Sequence, residues 1–346
     1  MKKDVWSYLK EINIPIIIYG MGNGADKIIN EFNKLEINFT EIIASDDFVR
    51  GQYYKGYKVK TLDEIKNTYN NFIIVLAFAT QIDSVINHIY EIEKKYKLVA
   101  PFTPVYGEEI FNYEYYIKNK NDIMLARSLM ADEKSLQVFD NYINYMLYGK
   151  LDYIKECQTN KDEIFNNVLK LSSNEHYADL GAYKGDTIDE LLNYCNGYNS
   201  IYAFEPDKKT YEKLLNHTKN FPQTYTYNCG LWEENSILKF DFNAGRNSTL
   251  SSNSNNYVKV VALDSILKNK KLTYIKFDIE GAELKAINGA KNILKTQKPK
   301  LNIALYHKCE DIFKIPLLIK SINKDYKFYL RHHPYIPFWD TNLYCI

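Results

Sequence analysis

Long apolar runs are missing from the 346 residues, and the run that stands out, Ile14-Pro15-Ile16-Ile17-Ile18-Tyr19, ends in a glycine turn. A bilayer span needs about 20 apolar residues, so this run reads as a buried strand, and neither membrane insertion nor export is expected. Paired cysteines are also missing. Cys157, Cys195, Cys229, Cys309 and Cys345 are scattered and odd in number. That excludes a disulfide framework and CxxC-type zinc or redox sites, and places the chain in a reducing cytoplasm. Charge of one sign is absent too: 44 Lys and Arg oppose 43 Asp and Glu, a net +1. Nothing in that balance draws a nucleic-acid backbone or an anionic membrane as partner. The short cluster Lys268-Asn269-Lys270-Lys271 reads as a solvated loop. No internal repeat, low-complexity tract or Gly/Ser-rich linker interrupts the chain.

What is present is an ordinary globular composition, 46% hydrophobic and 25% charged, in a length that suits two domains. Residues 1–105 alternate strands with amphipathic helices. Ile16–Tyr19 enters Gly20-Met21-Gly22-Asn23-Gly24-Ala25, and Ile28, Ile29, Phe32 and Leu35 then share one helix face. Glu41–Asp47 reads as a strand ending in acids, and Phe72–Ala79 as a parallel strand covered on both faces. Across 106–165 the strand signal fades, and Leu125, Leu129, Leu136, Phe139, Ile143 and Met146 predict a helical connector.

From 166 to 346 alternation resumes, with strands predicted at 177–180, 201–205, 225–228, 274–278, 302–306, 326–331 and 342–345. Two further β-like stretches, 237–242 and 257–261, lie between the third and fourth, and helices are predicted at 186–194 and 282–294. Seven strands with a closing hairpin-like pair predict an α/β fold, the methyltransferase form of the doubly wound sheet. Its ligand would lie over the C-terminal strand ends.

Asp179-Leu180-Gly181-Ala182-Tyr183-Lys184-Gly185-Asp186-Thr187 leaves a predicted strand and enters a helix. Glycine permits the tight turn and a close backbone approach to a ligand. The spacing D-x-G-x-x-x-G differs from the G-x-G-x-x-G of pyrophosphate loops and suits S-adenosylmethionine, which has no pyrophosphate. Asp179 would lie near the ligand's ammonium. Glu205, 20 residues after Gly185 in Phe204-Glu205-Pro206, is placed to accept both ribose hydroxyls. Asn228-Cys229-Gly230-Leu231 ends the third strand, where an adenine would lie. A helix-capping acid at Glu205 and plain turns at the glycines are the competing readings.

Phe204-Glu205-Pro206 and Lys276-Phe277-Asp278-Ile279-Glu280-Gly281-Ala282-Glu283 resemble the hallmarks of the FkbM family of S-adenosylmethionine-dependent methyltransferases. The resemblance continues through Asn288-Gly289-Ala290, Lys298-Pro299-Lys300-Leu301, Tyr306-His307-Lys308 and Tyr329-Leu330-Arg331-His332, and covers about residues 165–346. It implies the class I methyltransferase fold and, commonly, methylation of sugar hydroxyls in glycans or natural products. The first 105 residues look like the small Rossmann-like domain of some sugar-modifying enzymes, and a docking or acceptor-recognition role is expected of them.

The expected cofactor-binding residues are Asp179, Gly181, Ala182, Gly185, Thr187, Glu205, Pro206, Cys229, Gly230 and Asp278. His307 is the preferred general base because a histidine can be neutral near pH 7, with Asp278 beside it. Glu280, Lys308, Arg331 and His332 are expected at the acceptor, and Arg246-Asn247-Ser248-Thr249 is a weaker candidate for an anionic acceptor. Two carboxylates, Asp278 and Glu280, do not define a metal site, so no metal is expected. A homo-oligomer is compatible with the sequence. Two other functions remain open: a catalytically silent nucleoside-binding module, and a nicotinamide-dependent sugar-modifying enzyme working through the first domain.

Overall fold

A computed structural model describes residues 3–241, 249–250 and 256–346. Its N-terminal part is a six-stranded sheet of β1 (Ile16–Tyr19), β2 (Glu41–Ile43), β3 (Tyr53–Tyr54), β4 (Tyr57–Lys60), β5 (Ile73–Leu76) and β6 (Lys97–Val99). The order is β3-β4-β2-β1-β5-β6, parallel except for the β3–β4 hairpin. β1 and β5 are buried along their whole length, as strands covered on both faces must be. The helix Asn23–Leu35 covers one face with Ala25, Ile28, Ile29 and Phe32 at helical spacing. The short β3, β4 and β6 were not expected, because two to four residues carry too little periodicity to read.

The connector is helical. Helices Tyr113–Ser128 and Glu133–Tyr148 start at side-chain caps from Asn112 and Asp132. Val138, Phe139, Tyr142, Tyr145 and Met146 wedge the second helix into the core. Leu125, expected to bridge domains, is instead 55% exposed.

The C-terminal part holds β7 (His176–Leu180), β8 (Ser200–Phe204), β9 (Thr224–Tyr227), β10 (Gly230–Leu231), β11 (Ser236–Asp241), β12 (Thr249–Leu250), β13 (Asn256–Val261), β14 (Tyr274–Phe277), β15 (Lys300–Ala304), β16 (Phe328–His332) and β17 (Thr341–Cys345). Seven form one sheet, β16-β17-β15-β14-β7-β8-β9, and only β17 runs antiparallel, between β15 and β16. This is the class I methyltransferase sheet. The extra β-like stretches join a separate four-stranded sheet, β10-β13-β11-β12. The helix expected over 282–294 is two, Glu283–Asn288 and Lys291–Thr296. They part around Gly289, where a Cβ would lie 2.0 Å from the Trp232 carbonyl oxygen.

Strand order reverses at β7–β14, which opens a crevice over the C-terminal ends of the neighbouring strands. An antiparallel bridge between Thr80 and Ile336 ties the exit of β5 to the loop before β17 and so closes one side of that crevice.

Candidate active site

The crevice holds a cavity of about 370 Å³. Gly181, Tyr183, Thr187, Glu205, Pro206, Cys229 and Gly230 line one end. The turn after β7 alternates left-handed residues: Gly181 at φ 95°, Tyr183 at 48° and Gly185 at 99°. Gly181 is required for a reason other than ligand clearance, because a Cβ there would sit 2.0 Å from the Asp278 carbonyl oxygen. The glycine lets β7 and β14 exit side by side.

Asp179 is fully buried behind this turn and does not line the cavity; Thr187 donates a hydrogen bond to one of its oxygens and the other has no partner. Burial pushes its carboxyl up to about 6 against the pull of Lys276 and Thr187. Ala182 is buried as well.

Glu205 leaves β8 into the cavity. Its Oε1 accepts a hydrogen bond from the Asp207 backbone N–H at 2.9 Å. Burial raises its carboxyl to about 7, although the Asp207 and Tyr183 amides pull it down. The Asn228 amide donates to the Glu205 and Pro206 carbonyls and fixes this corner.

The wall at the ends of β14 and β15 is ionic. Lys276 Nζ lies 3.0 Å from Asp278 Oδ2, and the Tyr306 hydroxyl donates to Asp278 Oδ1 at 3.2 Å. Burial raises the Asp278 carboxyl, but Lys276 and His307 outweigh it and hold it below its ordinary value. Sequence reasoning missed Lys276 as a site residue, although a lysine within the apolar strand Tyr274-Ile275-Lys276-Phe277 was a legible signal.

His307 corrects an expectation. It is 0% exposed and lies behind the cavity wall. Its Nδ1 is 2.9 Å from Glu283, and its Nε2 is 3.5 Å from Asp278 and 3.4 Å from Glu280. Burial lowers its pKa, but Glu283, Glu280 and Asp278 together lift it to about 10. It is an imidazolium, with no lone pair to act as a base at neutral pH.

Arg331 and His332 are also corrected. Neither lines the cavity. Arg331 is buried, with Nη2 at 2.7 Å from Asp132 and 3.2 Å from Glu163. His332 is buried against Thr341, and desolvation drops it to about 3, which keeps it neutral. Both were placed at the site because their strand runs to the ligand side, whereas the Arg331 side chain faces the connector and that of His332 packs on Thr341 and Phe338. Lys308 does line the cavity, its Nζ 4.7 Å from the Tyr106 ring centroid. Residues 246–248 of the anionic-acceptor candidate lie outside the described residues.

The far wall was not legible in sequence. Gln81 and Tyr106 come from the N-terminal half, and Tyr335, Trp339 and Asp340 from the loop pinned by Thr80. A shallower hollow shares Gln81, Lys161 and Asp340 with the cavity and extends it toward Gln158 and Asn160. Lys161 lies 2.7 Å from Glu190 and 3.5 Å from Asp340, so its charge is compensated. Among the described residues, no group of three or more His, Cys, Asp and Glu is arranged to hold a metal ion. Among them, too, no helix is long and apolar enough to cross a membrane.

Residues 179–330, from the β7 turn to β16, match the model of the methyltransferase FkbM domain. The FkbM methyltransferase from Methylobacillus flagellatus shares its fold over 96% of this chain and 90% of that one, at 21% identity and a TM-score of 0.76. Fibrillarin from Aeropyrum pernix overlaps 51% of this chain and 67% of its own, at 9% identity and a TM-score of 0.34. No curated protein matches the chain. The FkbM segment contains both the Gly181–Glu205 end of the cavity and its Asp278–Tyr306 wall, while Gln81, Tyr106, Tyr335 and Trp339 lie outside it.

Proposed function

We propose that the chain moves the methyl group of S-adenosylmethionine to a hydroxyl, or an amine, of a sugar, glycan or glycan-linked group, in surface-glycan or natural-product modification. Glu205 carries this reading. It is a carboxylate buried at a strand end, open to the cavity and suited to a ribose diol. What S-adenosylmethionine supplies when bound is an activated methyl on a positively charged sulfur. Asp278 and Glu280 present negative charge to that side of the cavity. Gly181 and Tyr183 would hold the amino-acid part, and Cys229, Gly230 and Leu231 the base. Asn302, Tyr306, Asn342, Trp339 and Gln81 offer hydrogen-bonding groups and flat apolar faces beyond Asp278, which fit a neutral polyhydroxylated acceptor.

Calorimetry with S-adenosylhomocysteine tests this reading. Wild-type protein should bind it, and Glu205→Ala should bind roughly 10- to 100-fold more weakly, the loss expected for hydrogen bonds to a charged group. Ionised Glu205 is the stronger acceptor, with both oxygens free to accept from the diol. Wild-type affinity should therefore fall as pH drops below about 7, and the Ala variant should lack that dependence. Absence of binding by the wild type, or binding of NAD in its place, would overturn the proposal.

A further inference from the structure

We propose that Glu280 is the proton acceptor of this reaction, receiving the hydroxyl proton of the acceptor as its oxygen attacks the methyl carbon. The inference rests on the methyl-transfer reading above. Three acid–base groups, Asp278, Glu280 and His307, meet at the end of β14. His307 is closed off from the cavity and already doubly protonated. Asp278 accepts hydrogen bonds from Lys276 and Tyr306, and the Lys276 and His307 cations hold its carboxyl down and make it a weak base.

Glu280 lines the cavity as Asp278 does, its side chain 29% exposed against 31%, and differs from His307 in that access. Its backbone is left-handed at φ 54°, followed by Gly281 at 92°, and a Cβ on Gly281 would meet the Tyr106 side chain at 2.9 Å. A non-glycine residue held in this conformation is strained, and such strain gathers at functional sites. Burial lifts the Glu280 carboxyl to about 7, with Asp278 and Glu283 pushing the same way and His307 and Lys276 opposing. Lys27, from the N-terminal helix, is also within electrostatic reach of Glu280, and so is Tyr306. A base poised near the working pH is the effective one.

The step balances. The acceptor oxygen forms the new C–O bond, the C–S bond breaks with its electron pair on sulfur, and the O–H proton passes to Glu280. Carboxylate and sulfonium both end neutral, and the proton leaves later to water.

Sinefungin, which carries an amino group where the methyl would be, reports on this contact without an acceptor. Wild-type protein should prefer it to S-adenosylhomocysteine in calorimetry. Glu280→Gln should lose about tenfold of that preference, as for one charge-assisted hydrogen bond, and keep its affinity for S-adenosylhomocysteine. The wild-type preference should grow as pH rises through about 7. An unchanged preference in Glu280→Gln, or one abolished only by Asp278→Asn, would overturn the assignment. If Glu280→Gln does not fold, Glu280→Asp and the wild-type pH profile decide, and a preference flat across about pH 6–9 rejects Glu280. Wild-type protein that binds neither ligand would instead refute the methyl-transfer reading itself.

Discussion

His307 is a buried cation held by Glu283 at 2.9 Å, Glu280 at 3.4 Å and Asp278 at 3.5 Å. Alone, its desolvation would expel the proton; the three carboxylates reverse that and raise the folded-state pKa to about 10, above the ordinary 6.5. A raised pKa stabilises the fold fully below the unfolded value and loses the contribution as pH rises through the folded one. His307→Gln should therefore destabilise the protein at neutral pH by about 3–5 kcal/mol, the cost of breaking a buried pair. Denaturant unfolding curves of wild type and variant should converge as pH climbs toward about 10. A constant gap across that range would mean that His307 acts through packing and not through charge.

At the scale of elements, the helix Glu133–Tyr148 and β16 are joined by one polar junction. Arg331 reaches Asp132 at 2.7 Å and Ser135 at 2.8 Å, and Ser135 accepts the Leu330 backbone N–H at 2.9 Å. Asp132 also caps the helix, accepting the Ser135 N–H at 2.8 Å. Backbone bonds from Ala131 to Phe328 and from Thr159 to His332 flank this junction, so Arg331 supplies its charged centre. Arg331→Met keeps the apolar stem but leaves Asp132 and Glu163 without their guanidinium. Both carboxylates are about one-third exposed, so the loss should sit at the low end for a broken buried pair, about 3 kcal/mol. A thermal melt should show it, with S-adenosylhomocysteine affinity unchanged at temperatures where the variant is folded. A large fall in affinity would return Arg331 to the site.

At the scale of the molecule, one apolar cluster runs from Ile17 and Leu76 in the N-terminal sheet, through Phe139 and Tyr142, to Leu330 and Phe338 beside β17. Tyr142 and Phe338 stack with centroids 4.8 Å apart. Cutting the chain near residue 106 would expose this cluster and remove Gln81 from the cavity wall and Thr80 from the loop it pins. A 106–346 fragment should accordingly lack cooperative unfolding and bind S-adenosylhomocysteine poorly. A fragment with a sharp melt and full affinity would show that the N-terminal part is dispensable to the fold and the cofactor end.

Local chemistry was enough for the β7 turn, Glu205, Asp278-Ile279-Glu280-Gly281 and the seven strands of the large sheet, because glycine turns and two-sided apolar strands are encoded within a few residues. Only tertiary packing decided what depends on partners distant in the chain. Gly181 is glycine because β14 passes behind it, and Gly289 is glycine because the Trp232 carbonyl lies against it. His307 is an imidazolium because Glu283, Glu280 and Asp278 converge on it, and Arg331 points away from the ligand because Asp132 and Glu163 lie across the connector. The far cavity wall joins Gln81 to Trp339 across more than two hundred residues. Charge state and cavity shape are sums over neighbours in space, which the order of residues along the chain does not display.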